Sequence, residues 1–326
     1  MNSWQLAIFT ASRYNILPLT SICNLHCLFC SHRQNPPGVK TIRLPPLQLD
    51  QVDTLLDFLD GSRKIVIGES ATRLIEGEPL THPKFLEIIT RVRRRFPRTT
   101  LVITTNGTLL TLPLARALAG LEPLELNLSL NSASQAGRLK LMGDRQPDTA
   151  LEAPRVLNQF KLTYHGSLVA LPWITGWQDF RETVLYLSRH GARTIRIFLP
   201  GYTRLAPPEL RFPAGLRQQI ETELESLRRE TSVPLFLEPP CLKDLTPVIE
   251  GVIPGSAAER AGLSRGDIIL AVDGRQPRSR VEAFRLVNRP GKRFLHVARP
   301  VRGKPGAGTI DFPGGEILSG PGGPWH

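Results

Sequence analysis

Between residues 14 and 230, short apolar runs and amphipathic helical stretches take turns, six times over. This alternation limits the architecture more than any other feature of the chain. A strand followed by a helix and a second strand makes a crossover, and crossovers lay their strands side by side in one direction. The expected class is therefore α/β. A complete eight-unit barrel takes about 250 residues. The region ending near Glu238 is slightly short of that, which suits a partial (β/α)6 TIM-like barrel.

The runs can be placed one by one. Residues 14–20 read as a short strand. After two Pro pairs comes a helix with Asp50 as its cap, Val52, Leu55, Leu56 and Leu59 on one face and Gly61 at its end. Residues 64–75 are apolar and extended, as one interrupted strand or as two. Pro83 opens a helix whose inner face carries Phe85, Ile88, Ile89, Val92 and Phe96. Residues 99–105 form a strand ending at Asn106-Gly107, and a short helix covers 112–119. In 124–131 the alternation is strict: Leu124, Leu126, Leu128 and Leu130 point one way, Glu125, Asn127, Ser129 and Asn131 the other. Fully buried parallel strands read as continuous apolar runs. A polar face therefore implies a polar lumen, or else the wet side of an antiparallel sheet, which the continuing helices disfavour. Then follow a helix over 148–160, with Asp148 as cap and Pro154 as a kink, a strand over 167–171, a helix over Trp177–Arg189 and a strand over 194–199. A last helix carries Leu216, Ile220, Leu224 and Leu227, and residues 233–237 make a closing strand.

Directly after the first strand stands Cys23-Asn24-Leu25-His26-Cys27-Leu28-Phe29-Cys30, a C-x3-C-x2-C stretch holding three of the four cysteines. Three thiolates so close together suit a metal better than disulfides. The C-terminal ends of barrel strands are where such folds keep their active sites. An iron–sulfur cluster usually takes four cysteines; three would leave one iron open to chemistry. The alternative is a structural zinc, completed by His26 or Cys241. No second C-x2-C pair exists to support it.

Hydrophobic residues at 41% and charged residues at 21% fit a water-soluble globular chain. The N-terminus lacks a signal-peptide pattern, and no apolar run reaches the roughly 18 residues needed to span a bilayer. Clustered cysteines argue for a reducing compartment, so a cytoplasmic location is expected. The net charge of +12 is compatible with nucleic acid, a membrane surface or an acidic substrate. The basic residues are spread along the chain, however. The densest group, Arg91, Arg93, Arg94 and Arg95, lies on an outer helix face, which reads as a solvated surface rather than an RNA or DNA site.

The cysteine spacing, with aromatic Phe29 before the last cysteine, resembles the radical S-adenosylmethionine (SAM) superfamily. The resemblance implies that Cys23, Cys27 and Cys30 hold a [4Fe-4S] cluster. It implies that the fourth iron is chelated by the amino and carboxylate groups of SAM, and that reduction splits SAM to a 5′-deoxyadenosyl radical. Gly77-Glu78-Pro79 resembles the G-E-P end of the family's second strand, whose backbone and carboxylate hold SAM's ammonium. Glu76 stands where the family often has a glycine. Thr105-Asn106-Gly107 resembles the third strand's T-N-G end, although the same residues also make ordinary turns. Ser129 and Asn131, on the fourth strand, are the candidates for SAM's carboxylate and ribose. Phe29 would pack by the cluster or the adenine, or serve as core. Cluster potentials span roughly −700 to +450 mV, and SAM cleavage needs the low end, hence an electron donor such as a ferredoxin or flavodoxin.

Past Pro239-Pro240-Cys241 the pattern changes. The run from Pro254-Gly255-Ser256 through Gly262-Leu263 to Gly266-Asp267 and Asp273-Gly274 resembles a bacterial PDZ domain. It reads as a strand, a one-turn helix and a strand closed by an Asp-Gly turn. Residues 281–288 would be the helix beside the groove, and 294–297 another strand. PDZ domains add a partner's C-terminal peptide to a sheet edge, so a protein or peptide partner is expected here, or else a docking role. The tail after Arg302 is rich in Gly and Pro and reads as irregular, with Phe312 anchoring one extra strand. The expected division is 1–240 for the barrel, 241–302 for the small β-rich PDZ-like domain and 303–326 for the tail. The chain resembles radical SAM proteins that carry a PDZ-like domain. The usual order there is PDZ first, whereas here it comes last.

Cys241 alone remains once the cluster is built, too little for an auxiliary cluster. It is a candidate hydrogen donor or covalent acceptor, with inert packing as the plainer reading. Three functions stay open: a radical SAM enzyme whose PDZ domain recruits a protein or peptide, a radical SAM enzyme acting on RNA or a small metabolite, and a non-catalytic metal-binding scaffold.

Overall fold

The computed structural model describes residues 2–35, 38–240, 244–289, 291–301 and 304–312. Its larger sheet is built of β1 (Ile65–Ile67), β2 (Leu101–Thr105), β3 (Leu124–Ser129), β4 (Thr163–Val169), β5 (Ile195–Phe198) and β6 (Leu235–Glu238), all parallel and in sequence order. Facing it are α1 (Ser3–Tyr14), α2 (Leu49–Leu56), α3 (Phe85–Arg95), α4 (Leu112–Ala119), α5 (Gln135–Met142), α6 (Asp148–Gln159), α7 (Pro172–Thr175), α8 (Trp177–Arg189) and α9 (Leu216–Glu230). This is the α/β partial barrel that the alternation implies. The leucines of β3 are buried with Val52 and Leu55 of α2, Ile88 and Ile89 of α3, and Leu187 of α8 in one core. The polar partners on β3 face the concave side, where Lys64 binds Glu125 at 2.7 Å.

Several local expectations change. Tyr14 ends α1 rather than starting a strand, and the first barrel strand shrinks to a bridge between Ile16 and Val66. Pro18 lacks an N–H and interrupts the ladder. Asn15, left-handed at φ 58°, fastens this junction by donating to the carbonyls of Asp60, Arg63 and Lys64. The cap of α2 is Gln48, whose N–H donates to Gln51, while Asp50 lies inside the first turn. Of residues 64–75, only 65–67 join the sheet; Leu74 bridges separately to Ile42. Pro147, not Asp148, precedes α6, and Pro154 is accommodated within that helix. β4 starts four residues before the expected 167, because His165 and Gly166 belong to it.

The second unit comprises α10 (Ala257–Arg260), β7 (Ile268–Val272), α11 (Arg280–Val287), β8 (Arg293–Val301) and β9 (Lys304–Phe312). Its three strands form an antiparallel sheet in sequence order. Asp273 and Gly274 both take positive φ, 49° and 76°, as a tight hairpin-type turn requires. Residues 304–312, expected as irregular tail, instead pair along the whole of β8, and Phe312 is buried in this unit's own core. The barrel and this unit touch where Arg265 pairs with Glu225 at 2.9 Å. A side-chain carbon at Gly251 would sit 2.7 Å from Pro234 Cβ.

Candidate active site

A cleft of about 630 Å³ opens at the C-terminal ends of β2 to β5, within the ordinary range for ligand sites of roughly 300–1,000 Å³. Its walls include Cys23, Cys27, Phe29, Cys30, Gly77, Glu78, Ser129 and Asn131. Residues spread over more than a hundred positions thus meet on one surface. Pro79 does not line it; it opens the single turn Pro79–Thr81, buried against Gly68. Cys241 lies outside the described residues.

The cysteine loop is held by backbone. His26 N–H donates to Met142 C=O at 2.9 Å and Leu28 N–H to Leu141 C=O at 2.8 Å, so the loop caps the open carbonyls at the end of α5. Phe29 packs beside Leu25, Leu141, Met142 and Leu210 in a small separate core. Beneath the loop Arg138 is fully buried. Its guanidinium binds Asp144 at 2.7 Å, Leu130 C=O at 2.7 Å and Asn106 C=O at 3.2 Å. Burial pushes the Cys27 thiol up to about 12, helped by the charges of Cys23 and Cys30 and opposed by Arg138. Burial likewise raises Cys23. Thiols in this state ionise only when a cation takes the charge.

Gly77 is locked against the strand that enters the loop: Gly77 N–H donates to Thr20 C=O at 2.8 Å and Glu78 N–H to Ile22 C=O at 2.9 Å. A Cβ here would lie 2.0 Å from Ile22 O, so the position admits glycine alone. Glu78 is buried, and its carboxyl accepts from Thr105 Oγ1 at 2.7 Å, Asn106 N–H at 2.7 Å and Leu80 N–H at 3.3 Å. Burial raises it to about 7, against these hydrogen bonds. Asn131, left-handed at φ 63°, accepts from Val169 N–H at 2.9 Å and donates to Ser129 C=O, stitching β3 to β4. Ser129 Oγ lies 3.2 Å from Ser167 Oγ. Ser167, Val169, Phe198, His32 and Arg43 also line the cleft. Ser167 faces Ser129 across the ladder, a pairing that only the register of β3 and β4 reveals; His32 and Arg43 carried no sequence signal either.

The sequence profile of the radical SAM superfamily matches residues 17–203, and that of a PDZ domain matches 248–299. The chain belongs to the radical SAM superfamily. Among its relatives is the GTP 3′,8-cyclase of Lactiplantibacillus plantarum, 30% identical over 135 residues, which are 41% of this chain and 38% of that protein. The corresponding protein of Chlorobaculum tepidum is 36% identical over 119 residues, 35% of this chain and 32% of that protein. The chain thus spans about a third of the length of the curated relatives it matches. A crystal structure of Streptococcus suis SuiB bound to S-adenosylmethionine is similar at 17% identity and a TM-score of 0.49, covering 72% of this chain and 53% of that one.

A radical SAM protein uses a [4Fe-4S] cluster and SAM, and the residues present fit that pair. Among the described residues the cleft is lined by three soft thiols, Cys23, Cys27 and Cys30, the set that leaves one iron open. Among the described residues no group of three His, Cys, Asp or Glu side chains is arranged to hold one metal ion as the chain lies. Gly77 is tightly apposed to the backbone of Ile22, directly before the first of these cysteines.

Proposed function

We propose that this radical SAM enzyme cleaves SAM reductively in the cleft and acts on a protein or peptide that its PDZ-like domain recruits. When bound, the reduced cluster and SAM supply a 5′-deoxyadenosyl radical for hydrogen abstraction. The observation that carries the reading is the convergence of Cys23, Cys27, Cys30, Gly77, Glu78 and Ser129 on one cleft at the strand ends. In it, Cys23, Cys27 and Cys30 hold the cluster, Gly77 presents backbone to SAM, and Glu78 holds the T-N-G end of β2 in place. Ser129 and Ser167 give hydroxyls to the bound ligand, and Val169 and Phe198 wall off the radical from water. A low-potential donor such as a ferredoxin or flavodoxin supplies the electron, and the location is cytoplasmic. No helix of the described residues is long and apolar enough to cross a membrane.

A second reading has a small metabolite as substrate. It is favoured by the relatives named GTP 3′,8-cyclase, whose matches cover about a third of each chain. Anaerobic reconstitution with iron and sulfide, reduction and addition of SAM should yield 5′-deoxyadenosine, and Cys27→Ala should abolish it. Bound zinc with no iron uptake would refute the radical reading. Affinity for C-terminal peptides that vanishes on amidation supports the first substrate class, and its absence together with nucleotide binding the second.

A further inference from the structure

One buried polar atom of the cleft wall has no hydrogen-bond partner among the described residues. Glu76 precedes the Gly77-Glu78 turn and lines the cleft. Its Oε1 is buried and has no hydrogen-bond partner among the described residues. Burial raises the proton affinity of this carboxyl well above the ordinary carboxylate range, against a smaller lowering by the Leu19 backbone. Glu78, two residues on, is in the opposite condition: Thr105, Asn106 and Leu80 all donate to it. Its work is to hold the end of β2. A buried oxygen without a donor is costly, and a buried charge without a partner costs more. Both costs vanish if a cationic donor enters the cleft beside Glu76.

We propose that Glu76 is a cofactor-positioning residue whose Oε1 receives the α-ammonium of SAM. This rests on the radical SAM reading of the cleft. It gives the ammonium a carboxylate with a vacant acceptor and leaves Glu78 a structural lock. A neutral acid donating its own proton is the rival role. Gln tells the two apart, because it keeps the shape and the donor and removes only the charge.

The test is equilibrium binding on anaerobically reconstituted, unreduced protein, where no turnover occurs. Wild type, Glu76→Gln and Glu76→Gly are titrated calorimetrically with SAM, S-adenosylhomocysteine and a SAM analogue whose amino group is replaced by hydrogen. Iron content and thermal melting report folding, and the glycine variant serves if the glutamine one does not fold. The expected result is an affinity loss on the order of 10- to 100-fold for SAM and for S-adenosylhomocysteine in both variants. The deaminated analogue should bind all three proteins alike. Unchanged SAM affinity in the variants overturns the inference. So does an equal loss for the deaminated analogue, which would put the sulfonium beside Glu76. If wild type with its cluster intact binds no SAM, the reading of the cleft itself falls, a distinct outcome.

Discussion

Removing Arg138 should do more damage than removing any residue that touches the cleft. The guanidinium is wholly buried and joins three separate segments: Asp144 after α5, Leu130 after β3 and Asn106 after β2. Arg138→Met leaves a methionine of similar length and strands the Asp144 carboxylate, itself buried. Breaking a buried ion pair from one side costs about 3–5 kcal/mol. Against a domain stability of about 5–15 kcal/mol, that is about a fifth of the total or more. The double variant Arg138→Met/Asp144→Leu removes the stranded charge, and its remaining deficit should be about 1–3 kcal/mol, from carbonyls that lost their donor. Urea unfolding of the cofactor-free protein, followed by tryptophan fluorescence, measures both values. Because α5 also carries the carbonyls that seat His26 and Leu28, the single variant should lose iron faster to a chelator. A single variant costing under about 1 kcal/mol, or a double variant no better than the single, would refute the argument.

Gly77→Ala should abolish SAM binding while leaving the remainder of the barrel folded, because its Cβ would overlap Ile22 O and force the two segments apart; binding calorimetry with a circular dichroism control checks this. His165 sets a pH dependence. Burial lowers it from 6.5 to about 4 against the pull of Glu125, with Lys64, Arg193 and Arg196 also opposing its charge, and Thr194 bonds its ring at 2.7 Å. The unfolded chain therefore binds the proton more readily, and the stability this residue contributes is present above 6.5 and lost as pH falls through about 4. The amount is about 3 kcal/mol. His165→Gln should flatten that limb of the stability profile, measured by urea unfolding from neutral to acid pH.

The architecture was legible because it rests on period. Leu124, Leu126, Leu128 and Leu130 announce one strand face, and Leu216, Ile220, Leu224 and Leu227 one helix face; all eight are buried. The cysteine and G-E-P motifs were legible as local strings. What stayed hidden lacks period or inverts it. α1 buries Leu6 together with Ala7, Thr10 and Ala11, and the last three are too small or polar to mark a face. α5 contains Gly137 and buries Arg138, so its inner side carries a charge that a sequence reading assigns to water. Glu78 read as a ligand, and in the fold its carboxyl also accepts from Thr105, Asn106 and Leu80, with only one of these donors on Oε2. Only three-dimensional neighbours distinguish it from Glu76, whose oxygen is left over.

The contact of Gly251 and Arg265 with Pro234 and Glu225 sets a ruler for any recruited chain. Pro234 stands just before β6, at the end of the sheet opposite the cleft. A strand the length of β6, four residues, rises about 13 Å. A peptide seated on the PDZ-like unit would have to climb that height and round the rim before a residue could enter. At about 3.3–3.6 Å per extended residue, that height alone takes about four residues, and the path round the rim adds to them. Below that length the tether cannot reach. Above it the effective concentration at the cleft falls only slowly with added chain. A series of substrates differing in spacer length alone would then show a sharp threshold followed by a gentle decline.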